Sequence, residues 1–191
     1  MNLLAKIIIG CWFGFMAYWL FKAKSVKPTQ AVHRRFGGVW NLAGGFAYTF
    51  LFMSGMGLIR FYPFSLVIWP HWLWLAWGST ALVIVGLMVT LLARHTLANN
   101  WSADIEIKKG HELMTQGIYG FVRHPIYSGF LFMALGTCLF AGTVGGGLFL
   151  TLMLLVIRFK IKEEELLLTQ HFPKEYPLYQ QRVKALIPFV V

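Results

Sequence analysis

The first 103 residues of this 191-residue chain contain no aspartate and no glutamate. All seven acidic residues lie further along, at Asp104, Glu106, Glu112, Glu163, Glu164, Glu165 and Glu175. Chemistry that requires a carboxylate must therefore come from the second half of the chain. The two cysteines, Cys11 and Cys138, both lie within apolar stretches, so neither a disulfide-built fold nor a cysteine-based zinc site is expected.

Charged residues are also scarce, at 13% of the chain against roughly 25% in soluble domains, while 58% of the residues are hydrophobic. With a mean hydropathy of +0.63, this composition indicates an integral membrane protein. One crossing takes about 20 residues, so the length allows several helices and one polar segment but no separate soluble catalytic domain. The chain has no GxGxxG, Walker-type or HExxH motif, which leaves the usual soluble nucleotide-binding and metalloprotease functions without support.

Hydropathy predicts an all-α, polytopic membrane protein with about five transmembrane helices, because helices satisfy their own backbone hydrogen bonds within lipid. The apolar runs cover residues 3–21, 40–59, 72–93 and 127–157. The glycine-rich stretch 141–147 divides the last run into a hairpin of two short helices. We expect one integral membrane domain, 1–191, with three helices in 1–93 and a catalytic half in 94–191.

The distribution of positive charge predicts the orientation of these helices. The chain has 17 Lys and Arg residues and a formal net charge of +10. Fifteen of these cations fall within 22–39, 94–125 and 158–191, which leaves only Lys6 and Arg60 for the opposite side. The positive-inside rule then places the three segments in the cytoplasm and the N-terminus outside, in a plasma membrane or a prokaryotic inner membrane. This rule accounts for the basic residues, so no nucleic-acid partner is expected.

Two polar clusters interrupt the apolar pattern on the predicted cytoplasmic side. Pro125 suits the first turn of a helix, which puts His124 near the N-cap and Tyr127 one turn inside. This imidazole, this phenol and the backbone N–H groups at a helix start would receive an anionic group, or would form an interfacial anchor against lipid headgroups. In the second cluster Lys160 and Glu164 share a helix face, although a solvated charge run is the alternative.

The motifs in these clusters form a recognisable set. They are Gly117-Ile118-Tyr119, Arg123-His124-Pro125-Ile126-Tyr127-Ser128-Gly129, Glu163-Glu164-Glu165-Leu166, Phe172, Glu175-Tyr176, Tyr179 and Ile187-Pro188. This set, which extends roughly over 95–190, resembles the isoprenylcysteine carboxyl methyltransferase family of integral membrane enzymes. Membrane methyltransferases of phospholipids and small thiols, and membrane sterol reductases, carry similar endings, so the resemblance identifies a superfamily better than a substrate.

The resemblance implies that S-adenosylmethionine binds on the cytoplasmic side, in a pocket built from the fourth and fifth helices and their flanking segments. The residues implied to hold it are Glu106, His111, Glu112, Leu113, Met114, Tyr119, His124, Pro125, Ile126, Tyr127 and Glu164. The family also places an arginine near the end of the fifth helix against the substrate carboxylate. Lys160 occupies that position here, with Arg158 nearby, so Arg158, Lys160 and Glu164 are the candidate catalytic residues and no metal is expected.

The leading functional prediction is methyl transfer to a lipophilic or prenylated acceptor taken from the bilayer, with an isoprenylcysteine-type carboxylate as the first candidate. A carboxylate is already ionised at neutral pH, so its methylation needs positioning and desolvation but no general base. An amine or thiol acceptor would need one, and His124 and Glu164 are the candidates. Phospholipid N-methylation, thiol S-methylation, a nicotinamide-dependent reduction and a non-catalytic lipid-binding or partner-binding role therefore stay open.

Overall fold

The computed structural model describes residues 3–23, 29–34, 62–98, 105–108, 110 and 112–188. Its elements in chain order are α1 (Leu3–Ala23), β1 (Thr29–Arg34), α2 (Leu73–Leu97), β2 (Ile105–Lys108), a short 3₁₀ helix (Gly117–Gly120), α3 (Pro125–Ala141), α4 (Val144–His171) and α5 (Glu175–Arg182). Helices α1 to α4 coincide with four of the five predicted membrane helices. The predicted span 40–59 lies outside the described residues.

Three of the described helices are long and apolar enough to cross a membrane, namely Leu3–Lys22 within α1, Leu73–Leu97 and Val144–His171. Helix α3 is also apolar but has 17 residues, close to the shortest length that spans a bilayer. Helix α4 has 28 residues and is much longer than the short arm that hydropathy indicates. The difference arises because lysine, glutamate and leucine are good helix formers, so the helix continues through its polar half.

The turn between α3 and α4 is tighter than the glycine-rich stretch suggests. Gly142 has φ 63° and ends α3 in the left-handed region that favours glycine. Thr143 is the N-cap of α4, and its side-chain oxygen accepts a hydrogen bond from the Gly146 backbone N–H at 3.2 Å. Glycines 145–147 therefore belong to the first turn of α4, which corrects the prediction that they form the loop.

Helices α2 and α3 run antiparallel. They pack closely because glycines of α3 approach the backbone of α2. A Cβ atom at Gly129 would lie 2.1 Å from Thr90 Oγ1, and one at Gly136 would lie 2.6 Å from the Ser79 carbonyl oxygen. Such contacts through small residues are typical of membrane helices. Helices α1 and α4 complete one buried core with this pair, formed by Ile8, Trp12, Phe15, Val83, Met133, Ala134, Phe149, Met153 and Ile157.

The all-α prediction misses a two-stranded ribbon. Strands β1 and β2 pair in antiparallel register, with Val32 opposite Glu106. Both strands fall in segments that lie between the predicted membrane helices. The residues of β2 alternate between apolar and charged, which is the local pattern of a strand, but the run is only four residues long and its partner lies far away in the sequence. The fold is therefore a helical bundle with one ribbon that joins the segment after α1 to the segment after α2.

The polar segments gather at one end of this bundle. Arg94 Nη2 donates to the Lys22 carbonyl oxygen at 3.2 Å, which joins the C-terminal ends of α1 and α2. The Tyr119 hydroxyl donates to the Ala93 carbonyl oxygen at 3.4 Å, which brings the segment before α3 to the same end. These contacts agree with the predicted grouping of cationic segments on one side. The direction in which this end faces stays a prediction.

Candidate active site

The C-terminal segment lies across the start of α3. The backbone N–H of Arg123 donates to the Lys184 carbonyl oxygen at 2.8 Å, and that of His124 donates to the Ala185 carbonyl oxygen at 2.9 Å. These two N–H groups are therefore occupied by the protein itself. The expectation that backbone groups at this helix start receive an anionic ligand is wrong for these two residues, because the tail supplies the acceptors.

His124 is buried between two consecutive glutamates of α4. Its Nε2 atom lies 3.2 Å from Glu165 Oε1, and its Nδ1 atom lies 3.5 Å from Glu164 Oε2. Burial alone would lower the pKa of His124, but the hydrogen bonds and charges of Glu164 and Glu165 outweigh burial and raise the pKa. Both ring nitrogens face carboxylate oxygens, an arrangement that favours the protonated ring.

Glu165 is the more heavily bonded of the two glutamates. Its Oε1 atom accepts from Arg123 Nε at 3.0 Å and from Arg123 Nη2 at 2.6 Å, in addition to His124. Its Oε2 atom accepts from Gln180 Nε2 at 3.1 Å. The side chains of Arg123 and Glu165 keep 11% and 20% of their exposure, so this ion pair is largely shielded from solvent. Glu165 is therefore held on both oxygens by three side chains.

Glu164 is the more open glutamate, with 30% of its side chain exposed. The Tyr127 hydroxyl donates to Glu164 Oε1, and Glu164 Oε2 faces His124. The rings of Tyr127 and His124 stack with centroids 5.8 Å apart and an interplanar angle of 26°. Tyr127 and His124 thus contact both oxygens of Glu164, while the side chain as a whole stays partly exposed.

The other predicted residues around α3 are less accessible. Tyr119 is buried, and its carbonyl oxygen accepts a hydrogen bond from the Tyr179 hydroxyl at 2.5 Å. Burial, together with the negative charge of Glu164, raises the pKa of Tyr119, so the phenol stays protonated. Pro125 is buried and Ile126 is half-buried. Tyr119 and Pro125 therefore support the site from behind rather than line its open part.

The predicted segment before α3 is described in part. Leu113 and Met114 are half-buried, and Glu112 is exposed. His111 lies outside the described residues. Glu106 lies in β2, and its side chain is not among the described ones. Strand β2 lies against α4, the helix that carries Glu164. The part of this segment in the site remains a prediction.

The two candidate acceptor-binding cations differ in position on α4. Lys160 is half-buried and lies one helical turn before Glu164, on the same face. Arg158 is exposed. Lys160 is therefore the better placed of the two for contact with a ligand at Glu164.

Sequence reasoning missed three residues of the cluster, namely Arg123, Glu165 and Gln180. Their contacts connect positions 42, 57 and 15 residues apart, which no local spacing indicates. The one available signal was the run of consecutive glutamates, because helix geometry requires them to point in different directions. The sequence could not decide which of them faces the site.

The open part of the cluster fits the cofactor that the resemblance implies. A carboxylate and an aromatic ring both attract a sulfonium cation, and Glu164 and Tyr127 supply this pair. His124 has both ring nitrogens committed to glutamates, so it supports Glu164 instead of contacting a ligand through those atoms.

The fold and the site together define a helical integral membrane protein. One end of its bundle carries a cluster of ion-paired side chains. The model for the isoprenylcysteine carboxyl methyltransferase (ICMT) family matches residues 79–170, a range that includes His124, Tyr127 and both clustered glutamates. This match, over just under half of the chain, supports membership of that family and agrees with the resemblance seen in the sequence.

Individual relatives carry related names. The chain is 32% identical over 123 residues to protein-S-isoprenylcysteine O-methyltransferase B of Arabidopsis thaliana, covering 63% of this chain and 62% of that protein. It is 29% identical over 130 residues to the Rattus norvegicus protein-S-isoprenylcysteine O-methyltransferase, covering 65% and 46% respectively. It therefore spans between about half and two thirds of the length of these curated relatives.

A solved structure supports the fold. The eukaryotic intramembrane Ras methyltransferase ICMT superposes with a TM-score of 0.59 at 22% sequence identity, over 96% of this chain and 68% of that one. At this identity the likeness concerns the fold. It confirms that the helical arrangement is that of an ICMT protein.

Proposed function

We propose that this chain is a membrane methyltransferase that transfers a methyl group from S-adenosylmethionine to the carboxylate of an isoprenylcysteine-type substrate. The family match and the names of the relatives support methyl transfer of this kind. The acceptor would be a lipophilic small molecule or a prenylated protein that reaches the site from the bilayer. The active site would face the cytoplasm, because the cluster lies among the cationic segments of the chain.

One observation favours a carboxylate acceptor over an amine or a thiol. Each ring nitrogen of His124 lies against a glutamate oxygen, which favours the ring in its protonated form. A protonated imidazole cannot accept the proton that an amine or thiol loses during methylation. A carboxylate acceptor has no proton to lose. In this proposal Glu164, the other candidate base, faces the cofactor cation, so the site favours carboxyl O-methylation over the phospholipid and thiol alternatives.

The roles of the remaining residues follow from their charges. When bound, S-adenosylmethionine supplies the electrophilic methyl group. Glu164 and Tyr127 would face its cationic centre. Lys160 would orient the acceptor carboxylate, and Arg158 is the less favoured candidate for this role because it is exposed. The segment that contains Leu113 and Met114 would hold the rest of the cofactor. Catalysis then consists of positioning two reactants and excluding water.

The domain organisation is part of the same proposal. The whole chain would form a single membrane domain, in which 94–191 supplies the site and 1–93 supplies the supporting helices. The contact between Arg94 and the Lys22 carbonyl oxygen supports this arrangement, because it ties the two halves together beside the site.

The cofactor assignment is tested with purified protein in detergent and isothermal titration calorimetry. Wild-type protein should bind both S-adenosylmethionine and S-adenosylhomocysteine. Glu164→Gln should weaken the first more than the second, because S-adenosylhomocysteine lacks the sulfonium charge. Equal losses for the two ligands would contradict the placement of Glu164 at the cation.

The acceptor assignment needs a matched pair of substrates. An S-farnesylated cysteine derivative with a free carboxylate should take up labelled methyl groups, and its carboxamide counterpart should not. Phosphatidylethanolamine and an alkyl thiol should give no product. Methylation of the amine or the thiol in preference to the carboxylate would refute the proposed substrate class.

A further inference from the structure

The least expected contact of the cluster comes from α5. Gln180 Nε2 donates to Glu165 Oε2 at 3.1 Å. The opposite oxygen, Oε1, is shared by Arg123 and His124. The carboxylate of Glu165 is therefore fixed in its plane because donors approach from both sides. With donors on Oε1 alone, it could turn about its last side-chain bond.

The position of Gln180 is itself well determined. The Tyr179 hydroxyl donates to the Tyr119 carbonyl oxygen at 2.5 Å, and Tyr176 on the same helix is 1% exposed. Arg123 Nη1 donates to the Gln180 carbonyl oxygen at 3.3 Å. Gln180 therefore contacts both members of the ion pair, Arg123 through its backbone and Glu165 through its side chain. Helix α5 is thus held against the site rather than free to move away from it.

The chain after Gln180 continues the same contact. Arg123 Nη1 also donates to the Val183 carbonyl oxygen. Ser128 Oγ donates to the Leu186 carbonyl oxygen at 2.6 Å, and Leu186 packs against the hydrophobic core. The segment 180–186 is therefore bonded to the start of α3 at successive positions.

We propose that Gln180 is a positioning residue, which fixes the orientation of Glu165 and, through the shared ring of His124, the orientation of Glu164. The connection runs through named atoms. Glu165 Oε1 holds His124 Nε2, and the other nitrogen of the same ring faces Glu164 Oε2. A turn of the Glu165 carboxylate would therefore move the ring and change how Glu164 is held. The consequence for ligand binding rests on the proposed function, in which Glu164 faces the cofactor.

Four variants of α5 separate this role from a general effect on the helix. Gln180→Leu removes the donor with little change in size, and Gln180→Glu places a second carboxylate against Glu165. Gln180→Lys keeps a donor. Gln181→Leu is the matched control, because Gln181 is the neighbouring residue of the same type and is exposed. Each variant is titrated with S-adenosylmethionine by calorimetry, and each ligand-free protein is melted between pH 6 and 9.

The expected result is a graded loss of affinity. Gln180→Leu should bind S-adenosylmethionine about tenfold more weakly than wild type, because a hydrogen bond to a charged group is lost, and Gln180→Glu should bind more weakly still. Gln180→Lys and Gln181→Leu should stay within about twofold of wild type. The pH dependence of the melting temperature should change in Gln180→Leu and Gln180→Glu and not in the control, because the proton on His124 is held through Glu165.

Two outcomes would overturn the inference. If Gln180→Leu binds S-adenosylmethionine like Gln181→Leu, Gln180 does not position the site. If Gln180→Leu melts at a lower temperature but keeps its affinity and its pH dependence, the contact is merely structural. Failure of the wild-type protein to bind would refute the proposed function instead, and the pH dependence of melting would then decide the role of Gln180 by itself.

Discussion

Replacement of Glu165 by glutamine should destabilise the protein far more than the same replacement at Glu164. Glu165→Gln keeps the shape of the side chain but removes the charge that compensates Arg123 and His124. The side chains of Arg123 and Glu165 are 11% and 20% exposed, so water replaces the lost partner poorly. Glu164 is 30% exposed and has lighter contacts, so its neutralisation is better tolerated.

The magnitude follows from the burial of the pair. Removal of one partner from a buried ion pair costs about 3–5 kcal/mol, and residual exposure places Glu165→Gln near the lower end, at about 3 kcal/mol. Glu164→Gln should cost about 1 kcal/mol, the value of an ordinary hydrogen bond. For a chain of this length, about 2–4 °C of melting temperature corresponds to 1 kcal/mol, so Glu165→Gln should melt about 6 °C or more below wild type.

The assay is thermal unfolding of detergent-purified protein, followed by tryptophan fluorescence. Glu175→Gln is the control, because it removes the same charge from an exposed position at the start of α5. The affinity for S-adenosylmethionine is measured by calorimetry on the same samples. Glu164→Gln should lose more affinity than Glu165→Gln, which is the reverse of their order in stability. The reasoning fails if Glu165→Gln melts with the control, or if Glu164→Gln is the less stable of the two glutamate variants.

Three further predictions concern single positions. Because the pKa of His124 is raised, its stabilising contribution should be complete below the ordinary pKa of 6.5 and should be lost as pH rises through the raised pKa. The melting temperatures of wild type and His124→Gln should therefore converge at alkaline pH. Gly129→Ala should lower the melting temperature, because its Cβ would lie 2.1 Å from a hydroxyl oxygen of α2, whereas Gly147→Ala meets nothing within 4 Å and should not. Lys160→Ala should raise the KM for the acceptor more than Arg158→Ala does, as measured by methyl transfer at saturating cofactor.

Hydropathy predicted most of the helical architecture. The apolar runs gave α1, α2, α3 and the apolar half of α4, because residues that must be buried in lipid leave a long and unambiguous signal. The polar half of α4 was less certain from hydropathy, since its continuation as helix depends on propensity alone. The β ribbon was missed because the alternation in β2 covers only four residues and its partner, β1, lies far away in the sequence.

The sequence predicted some residues of the site but not all of them, and not how they divide their roles. The motifs singled out His124, Tyr127 and Glu164, and the structure brings these three together. The division of roles between Glu164 and Glu165 depends on the rotation of α4 against α3 and on the approach of Gln180. Both are tertiary contacts, so the sequence alone could not show them.

The contacts within the ionic cluster also explain why the site contains partly buried charged side chains. Arg123 and the protonated form of His124 would together balance the charges of Glu164 and Glu165. Buried ion pairs contribute little stability compared with well-packed apolar residues, so stability alone does not explain the arrangement. Glu165 compensates both cations, which leaves Glu164 only partly engaged by His124. A cationic ligand can therefore still be attracted to Glu164, and its affinity should depend on Glu165, which it need not contact.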